Sequence, residues 1–173
     1  MSLLMHRGGE YVTKEQLDLI PVPEATESYV PVSHYHLTDK FLTISQDILR
    51  DYVLIGQNYG IARQGQQLFA VLKFQNEKSE MGLSIAFRNS YDRSMAIGLA
   101  IGASVFVCDN LALSGDVTVM KKHTKNVWED LEETAIATIY KSQKNYTQIV
   151  CDAEAFKTLP MGNNAAFRTM GLL

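Results

Sequence analysis

The chain has 173 residues, of which 46% are hydrophobic and 20% are charged. This length and composition predict one globular domain with a substantial core, and they exclude a disordered tail or a low-complexity spacer. The formal net charge of -3 is too balanced to indicate nucleic acid, a membrane or an acidic substrate as partner, so any such binding site must be local.

The cysteine content and the apolar runs indicate the compartment. Two cysteines, Cys108 and Cys151, are typical of a reduced intracellular protein rather than a disulfide-linked secreted one. The first ten residues contain no apolar stretch long enough for a signal peptide, and the run 95–108 is shorter than a membrane span. We therefore expect a cytoplasmic protein, in the host cytoplasm if a phage encodes it, with no membrane partner.

The first part of the chain is predicted to be an N-terminal arm over residues 1–36. Three prolines among polar residues indicate an irregular segment, apart from a short helix around 14–19. Apolar residues then recur at spacings of three and four, which predicts an amphipathic helix over about 38–51. Residues 37–173 are expected to form a single α+β domain.

Segments with strand character follow the helix. They lie at 54–56, 60–64, 68–74 and 83–87, and Gln64-Gly65-Gln66 predicts a hairpin turn between the second and the third. Apolar residues at the odd positions from 95 to 107 predict a further strand, and 116–120 predicts another. Together these segments favour a mostly antiparallel meander sheet.

Two helices are predicted at the C-terminal end, at about 127–144 and 147–158. Asn126 followed by Glu129 is typical of a capped helix start. The fold class is therefore predicted to be α+β, a mostly antiparallel meander sheet flanked by an N-terminal helix and C-terminal helices.

Three ordered motifs carry a resemblance to a known family. They are R-N-S-Y-D-R-S at 88–94, F-V-C-D-N at 106–110 and K-H-T at 122–124. They resemble the N-S-H-D-G-[ST] loop, the segment ending near V-C-x-N and the basic-His-[TS] step of the phage/plasmid-like family called domain of unknown function 932, over about 29–160. Tyr91 and Arg93 stand where that family usually has His and Gly. The resemblance implies the biology of mobile elements and no particular biochemical activity.

The stretch 88–94 is expected to be a loop exposed at the end of a rigid sheet, where functional groups concentrate. Its candidate binding residues are Arg88, Asn89, Ser90 and Arg93, because guanidinium, amide and hydroxyl groups suit phosphate oxygens. The alternative is that these polar side chains only bond to the turn itself.

A basic step after the last strand supplies the second half of the candidate site. It contains Lys121, Lys122, His123 and Lys125. Basic residues beside aromatic rings are typical of a groove for single-stranded nucleic acid, and the expected stacking residues are Tyr59, Phe69, Phe74 and Tyr91. The alternative is a solvated strand end next to ordinary core aromatics.

The leading hypothesis is a phage or mobile-element accessory protein that binds nucleic acid, with single-stranded DNA as the candidate form, without catalysis and without a cofactor. The order helix, meander, helix is similar to that in the core of single-strand annealing proteins. One alternative is a protein-interaction factor that binds a host or phage protein and inhibits a host defence complex. Another is a metal-dependent enzyme using His34, His36 and Asp39, although a metal site is not expected. A homo-oligomer is compatible with all three.

Overall fold

The computed structural model describes residues 3–76, 82–103, 106–110, 112–160 and 162–171. Nine strands and four helices occur in these ranges. In chain order they are β1 (Leu3–Leu4), β2 (Glu10–Val12), α1 (Lys14–Asp18), α2 (His34–Ile48), β3 (Val53–Ala62), β4 (Gln67–Gln75), β5 (Gly82–Ser90), β6 (Ile97–Gly102), β7 (Phe106–Cys108), β8 (Leu113–Ser114), β9 (Val117–Lys121), α3 (Val127–Lys157) and α4 (Asn163–Met170).

Six strands form one antiparallel sheet in the order β2-β3-β4-β5-β6-β9. From β3 to β6 each strand pairs with the next one along the chain, which is the arrangement of a meander. The predicted turn between β3 and β4 is present, and Gly65 has the positive φ of 82° that glycine adopts without strain. The predicted α+β class with an antiparallel meander sheet is confirmed.

Helices α2 and α3 cover one face of this sheet. Phe41 of α2 packs edge-on against Phe87 of β5, with the ring centroids 5.0 Å apart. Leu131 and Ile139 of α3 are buried in the same cluster. Burial of these apolar side chains is what holds the helices on the sheet, because removing apolar surface from water is the main favourable term in folding.

The boundaries of both helices differ from those expected. Helix α2 begins at His34 rather than at about 38, because the Ser33 hydroxyl accepts a hydrogen bond from the His36 N–H at 3.3 Å and so caps the helix. Helix α3 runs without a break where two helices were predicted, since no Gly or Pro interrupts it. The predicted side-chain cap from Asn126 does not form.

The opposite face of the sheet carries a second, three-stranded sheet in the order β1-β7-β8. Leu3 and Val107 from these strands pack against Phe69, Val71 and Ala86 of the large sheet. The single strand expected over 95–107 is therefore two strands, β6 and β7, which belong to different sheets; residues 104–105 lie outside the described ranges.

The segment expected to be an N-terminal arm is part of the packed structure. Strand β2 pairs with β3, and Leu17, Tyr29 and Val32 are buried. The chain between α1 and α2 has no regular secondary structure, which agrees with the expected irregular character. No described helix combines the length and apolar character needed to cross a bilayer.

Candidate functional site

A cleft of about 360 Å³ opens where three segments meet: residues 28–29 before α2, 93–96 after β5 and 122–124 after β9. Two cations, Arg93 and Lys122, line it, and none of the described residues that line it is acidic. The other lining residues are Ser28, Tyr29, Ser94, Met95, Ala96, His123 and Thr124. The cleft thus brings cationic groups, hydroxyls and two rings together.

Hydrogen bonds between distant segments hold the walls of the cleft in place. The Val30 N–H donates to the His123 carbonyl at 3.0 Å. The Tyr29 hydroxyl donates to the Ser90 carbonyl at 2.9 Å, and the Tyr29 ring centroid lies 5.0 Å from that of His123. Burial raises the pKa of Tyr29, so its hydroxyl keeps the proton that it donates.

The loop after β5 is fixed by its own polar side chains. The Asp92 carboxylate accepts hydrogen bonds from the Gln67 amide at 3.0 Å and from the Arg63 guanidinium at 3.2 Å. The Ser90 hydroxyl donates to the Met95 carbonyl at 2.9 Å. These bonds anchor both ends of the loop, so it presents its remaining side chains from a defined position.

Arg93 occupies an unusual backbone conformation at the rim of the cleft. Its φ is 60°, in the left-handed region where a residue with a β-carbon is strained by about 1 kcal/mol or more. The guanidinium carbon lies 4.6 Å from the centroid of the Tyr29 ring, which is a cation–π contact. Arg93 is exposed, so its N–H groups are accessible to a ligand.

Beneath the cleft, Asn89 connects two histidines in a buried network. Its amide nitrogen donates to the Val32 carbonyl at 2.6 Å and to Nδ1 of His34 at 2.9 Å. Its amide oxygen accepts a hydrogen bond from Nε2 of His123 at 2.8 Å. Nε2 of His34 donates to the Gly65 carbonyl at 3.0 Å. Asn89 is fully buried, and both of its polar atoms have partners.

The carbonyl at the end of this network fixes the proton positions. Because the Val32 carbonyl can only accept, the Asn89 nitrogen faces it and the Asn89 oxygen faces His123. Both histidines therefore carry their proton on Nε2. Burial lowers the pKa of His34 and of His123 to about 4, so both rings are neutral at pH 7.

The aromatic residues expected to stack with bases are in the core instead. Tyr91 stacks on His34 with the ring centroids 3.8 Å apart, and its hydroxyl accepts a hydrogen bond from the His34 N–H at 2.8 Å. Tyr59, Phe69 and Phe74 are buried in the sheet. The prediction of these four as stacking surfaces was wrong. Alternation along the strands turns Tyr59, Phe69 and Phe74 into the two apolar layers, and Tyr91 is buried against His34.

The structure brings three of the predicted site residues to the cleft: Arg93, Lys122 and His123. Asn89 and Ser90 were expected on an exposed loop, but both are fully buried. The reason is that β5 continues to Ser90, so the loop begins at residue 91. Asn89 and Ser90 therefore support the cleft from behind and cannot touch a ligand in it.

The other three predicted residues lie away from the cleft. Arg88 points to the opposite face of the sheet from Asn89, and its guanidinium lies 3.7 Å from the sulfur of Met120. Lys121 is half-buried and borders a small cavity next to α3. Lys125 is exposed and lines the neighbouring cleft.

That neighbouring cleft has a volume of about 490 Å³ and shares Ser28 and Thr124 with the first. Lys125 lies there together with two acidic residues, Glu27 and Asp130. A third cleft, of about 420 Å³ between α2 and α3, includes Asp39, Glu129 and Glu132. Both are larger than the first cleft, but their carboxylates would repel an anionic ligand.

The metal hypothesis does not fit the geometry. His34 and His36 both belong to α2, where a separation of two residues puts side chains on nearly opposite sides. Both ring nitrogens of His34 are engaged in the buried network. Among the described residues, no group of three or more His, Cys, Asp or Glu is arranged to hold a metal ion.

Two residues of the cleft, Ser28 and Tyr29, had no place in the sequence-based site. They belong to the segment interpreted as an arm, and the side chain of Tyr29 contacts Ser90 and His123, which are about sixty or more positions away. One signal was present: Tyr29 is a large aromatic residue in an otherwise polar, proline-rich stretch. Such a residue usually packs against something when the stretch around it has no core of its own.

No family model, curated protein or solved structure matches this chain. The resemblance found in the three sequence motifs therefore stays a prediction. The case for a function depends on the geometry of the cleft.

Proposed function

We propose that the cleft binds single-stranded nucleic acid by its sugar–phosphate backbone and performs no chemistry on it. The observation that carries the proposal is the pairing of Arg93 and Lys122 in a cleft without a carboxylate, in a chain whose net charge is -3. Guanidinium and ammonium groups are the usual partners of backbone phosphates. The positive charge is thus local and lies where a phosphate would have to enter.

The neutral groups and the size of the cleft also suit a nucleotide. Ser28, Ser94 and Thr124 contribute hydroxyls, which commonly bond to phosphate and sugar oxygens. A volume of about 360 Å³ is at the lower end of small-ligand pockets, enough for about one nucleotide unit. Because the cleft is open to solvent, a strand can pass through it with one unit held at Arg93 and Lys122.

The resemblance to a phage/plasmid-like family adds a biological setting to this proposal. An accessory protein of a mobile element that acts on nucleic acid would work in the cytoplasm of the host, beside the element's own nucleic acid. The setting and the cleft are linked arguments, because two of the three motifs, those at 88–94 and 122–124, include residues that line the cleft.

The proposal is tested by fluorescence anisotropy with labelled single-stranded and duplex oligonucleotides at two salt concentrations. We expect tighter binding of the single strand and a logarithmic salt slope of about 0.7 for each phosphate contact. Absence of binding at low salt, or binding that does not change with salt, would contradict the proposal.

A matched pair of double variants locates the binding. Arg93→Gly with Lys122→Gln removes both cations from the cleft, and glycine suits the positive φ at position 93. Arg50→Gln with Lys141→Gln removes the same charge from exposed positions, one after the end of α2 and one about four turns into α3. We expect at least about a tenfold loss of affinity for the first pair and about twofold or less for the second. Equal losses would mean that net charge, and not the cleft, governs binding.

A second candidate is the protein-interaction factor that inhibits a host defence complex. The observation that favours it is a group of exposed apolar side chains near the C-terminal end: Phe156, Leu159 and Phe167 are 67%, 55% and 71% exposed. Exposed large apolar residues in proximity along the chain often mark an interface. Pull-down from nuclease-treated host lysate, with Phe156→Ser/Phe167→Ser as the comparison, distinguishes this candidate, because only a protein partner survives nuclease and depends on these side chains.

A further inference from the structure

The charged groups that line the cleft can only donate hydrogen bonds. Arg93 and Lys122 have no acceptor atoms, and the phosphates that they suit have acceptors only, apart from a protonated terminal phosphate. A ligand selected by these two residues alone would be any phosphate-containing strand. Selectivity between kinds of strand requires a group of a different character in the same cleft.

His123 supplies such a group. Its Nε2–H is committed to the Asn89 oxygen at 2.8 Å, so the neutral ring carries an unprotonated lone pair on Nδ1. No donor to this Nδ1 is found in the part of the chain that the structure describes. The ring lines the cleft beside Lys122. The Tyr29 ring, which contacts the guanidinium of Arg93, also contacts the His123 ring.

The buried network makes this acceptor permanent. If the Asn89 amide turned over, its nitrogen would face the Nε2–H of His123, and its oxygen would face two acceptors, the Val32 carbonyl and Nδ1 of His34. Three contacts would then become repulsive. Burial also lowers the pKa of His123, which keeps the ring unprotonated at neutral pH. Nδ1 is thus an acceptor throughout the neutral pH range.

We propose that Nδ1 of His123 accepts a hydrogen bond from the 2′-hydroxyl of a ribose whose phosphate is held by Arg93 and Lys122, so that the cleft prefers RNA to DNA. This inference rests on the proposed function and names the strand that the cleft selects. In a nucleic-acid backbone the 2′-hydroxyl is a donor on the same sugar that carries the phosphate, and DNA lacks it. Donors on the bases lie farther from the phosphate and vary with sequence.

The test compares three single strands of identical sequence in the anisotropy assay: oligo(U) of about 12 nucleotides, its deoxyuridine counterpart and its 2′-O-methyl counterpart. The 2′-O-methyl strand keeps a ribose-like sugar conformation but has no hydroxyl proton to donate. We expect RNA to bind about fivefold more tightly than either of the others, the factor for one neutral hydrogen bond. If the 2′-O-methyl strand binds as tightly as RNA, or DNA binds as tightly as RNA, the inference is wrong.

His123→Gln separates the acceptor from the network. The amide nitrogen of Gln can reach the place of Nε2 and keep the bond to Asn89, while the amide oxygen, the one acceptor of the new side chain, does not coincide with Nδ1. We expect this variant to bind all three strands with the affinity of native protein for DNA. Persistence of the RNA preference in a folded variant contradicts the inference. Should the variant fail to fold, the three-strand comparison on the native protein decides alone.

The outcomes also separate this inference from the proposed function. Equal, salt-dependent binding of all three strands that is weakened by Arg93→Gly with Lys122→Gln keeps the proposed function and removes the inference. Absence of binding to any of the strands removes both.

Discussion

The two faces of the large sheet each bury a polar side chain that joins distant parts of the chain. On the helix-covered face this is Asn89, which is neutral and binds side chains and a carbonyl. On the other face it is Asp109, whose carboxylate accepts from the backbone N–H groups of His6 at 3.1 Å and of Arg7 at 2.6 Å. The side chain of Asp109 is 0% exposed.

The two arrangements differ in what remains for a ligand. Burial alone would raise the pKa of the Asp109 carboxyl, but the N–H donors of Arg7, His6 and Gly9 outweigh it and lower the pKa. That carboxylate is fully used in holding the N-terminal segment. The Asn89 network instead ends at His123, whose Nδ1 keeps an unused lone pair beside the cleft. A buried polar group can thus either hold a chain segment in place, as Asp109 does, or orient a neighbouring side chain that borders a cleft, as Asn89 does.

Of the substitutions in these two arrangements, replacement of Asn89 should lower stability the most. In Asn89→Ala the Val32 carbonyl, Nδ1 of His34 and Nε2–H of His123 all lose their partner, which we expect to lower the free energy of unfolding by about 4 kcal/mol. Chemical denaturation measures this loss. Asn58→Ala, at an exposed position of β3, is the matched control and should change stability by less than about 0.5 kcal/mol. Similar losses in both variants would show that the network contributes nothing special.

As the pH is lowered, the Asn89 network should lose its contribution to stability before the Asp109 contacts lose theirs. The pKa of His34 and of His123 falls from 6.5 to about 4 on folding, so the unfolded chain binds more protons between these values. The contribution of these two neutral histidines to stability is fully present above pH 6.5 and declines as the pH falls toward 4. Between pH 7 and pH 5 we expect a loss of about 2 kcal/mol from His34 and about half of that from His123, whose ring borders solvent.

Denaturation at pH 7 and pH 5 measures this loss. His123→Gln should remove the smaller share of it, since the variant has one group fewer to protonate. Asp109 does not contribute in this interval, because its pKa is lowered and its stabilising effect disappears only below the ordinary carboxyl value of 3.8. A protein equally stable at pH 7 and pH 5 would contradict the assignment of two neutral, buried histidines.

Asp109→Asn should have a smaller and more local effect. The amide oxygen can replace one acceptor, but the charge that strengthens the bonds from His6 and Arg7 is gone, at about 2 kcal/mol. We expect faster hydrogen exchange at those two amides, because the segment opens without global unfolding. Asp116→Asn, in which an exposed carboxylate loses its charge while the amide oxygen can still accept from the Ala103 N–H, is the control and should be nearly neutral. Unchanged exchange at His6 and Arg7 would show that Asp109 does not hold the segment.

The parts of the fold that repeat a local pattern could be predicted from the sequence. A nearly continuous apolar run located β4, alternation of apolar residues located β5 and β9, and the three- and four-residue spacing located α2 and α3. Helix ends were less accurate, since the start of α2 depends on Ser33 and also on the hydroxyl of Tyr91, which comes from the loop after β5. The Tyr91 contact involves a residue 57 positions away, which a local window does not contain.

The candidate site was predictable only in part, for a related reason. The polar stretch 88–94 was interpreted as a loop, but the partners of Asn89 lie 55, 57 and 34 positions away in sequence, and they allow a polar residue to be buried in β5. Extending the alternation of β5 to Ser90 would have put Arg88 and Asn89 on opposite faces. Arg93 and Lys122 reach the same cleft because two loops pack together. No pattern in the sequence near either residue indicates this packing.

The left-handed backbone at Arg93 has a consequence for how this position would change under selection. Glycine or asparagine would fit a φ of 60° with less strain, so selection for folding alone would tend to replace the arginine. Selection for ligand binding would act in the opposite direction and hold it. Position 93 is therefore where the demands of the fold and of the cleft oppose each other, and sequence variants that drift to glycine there would be expected to fold well and to have lost the ligand.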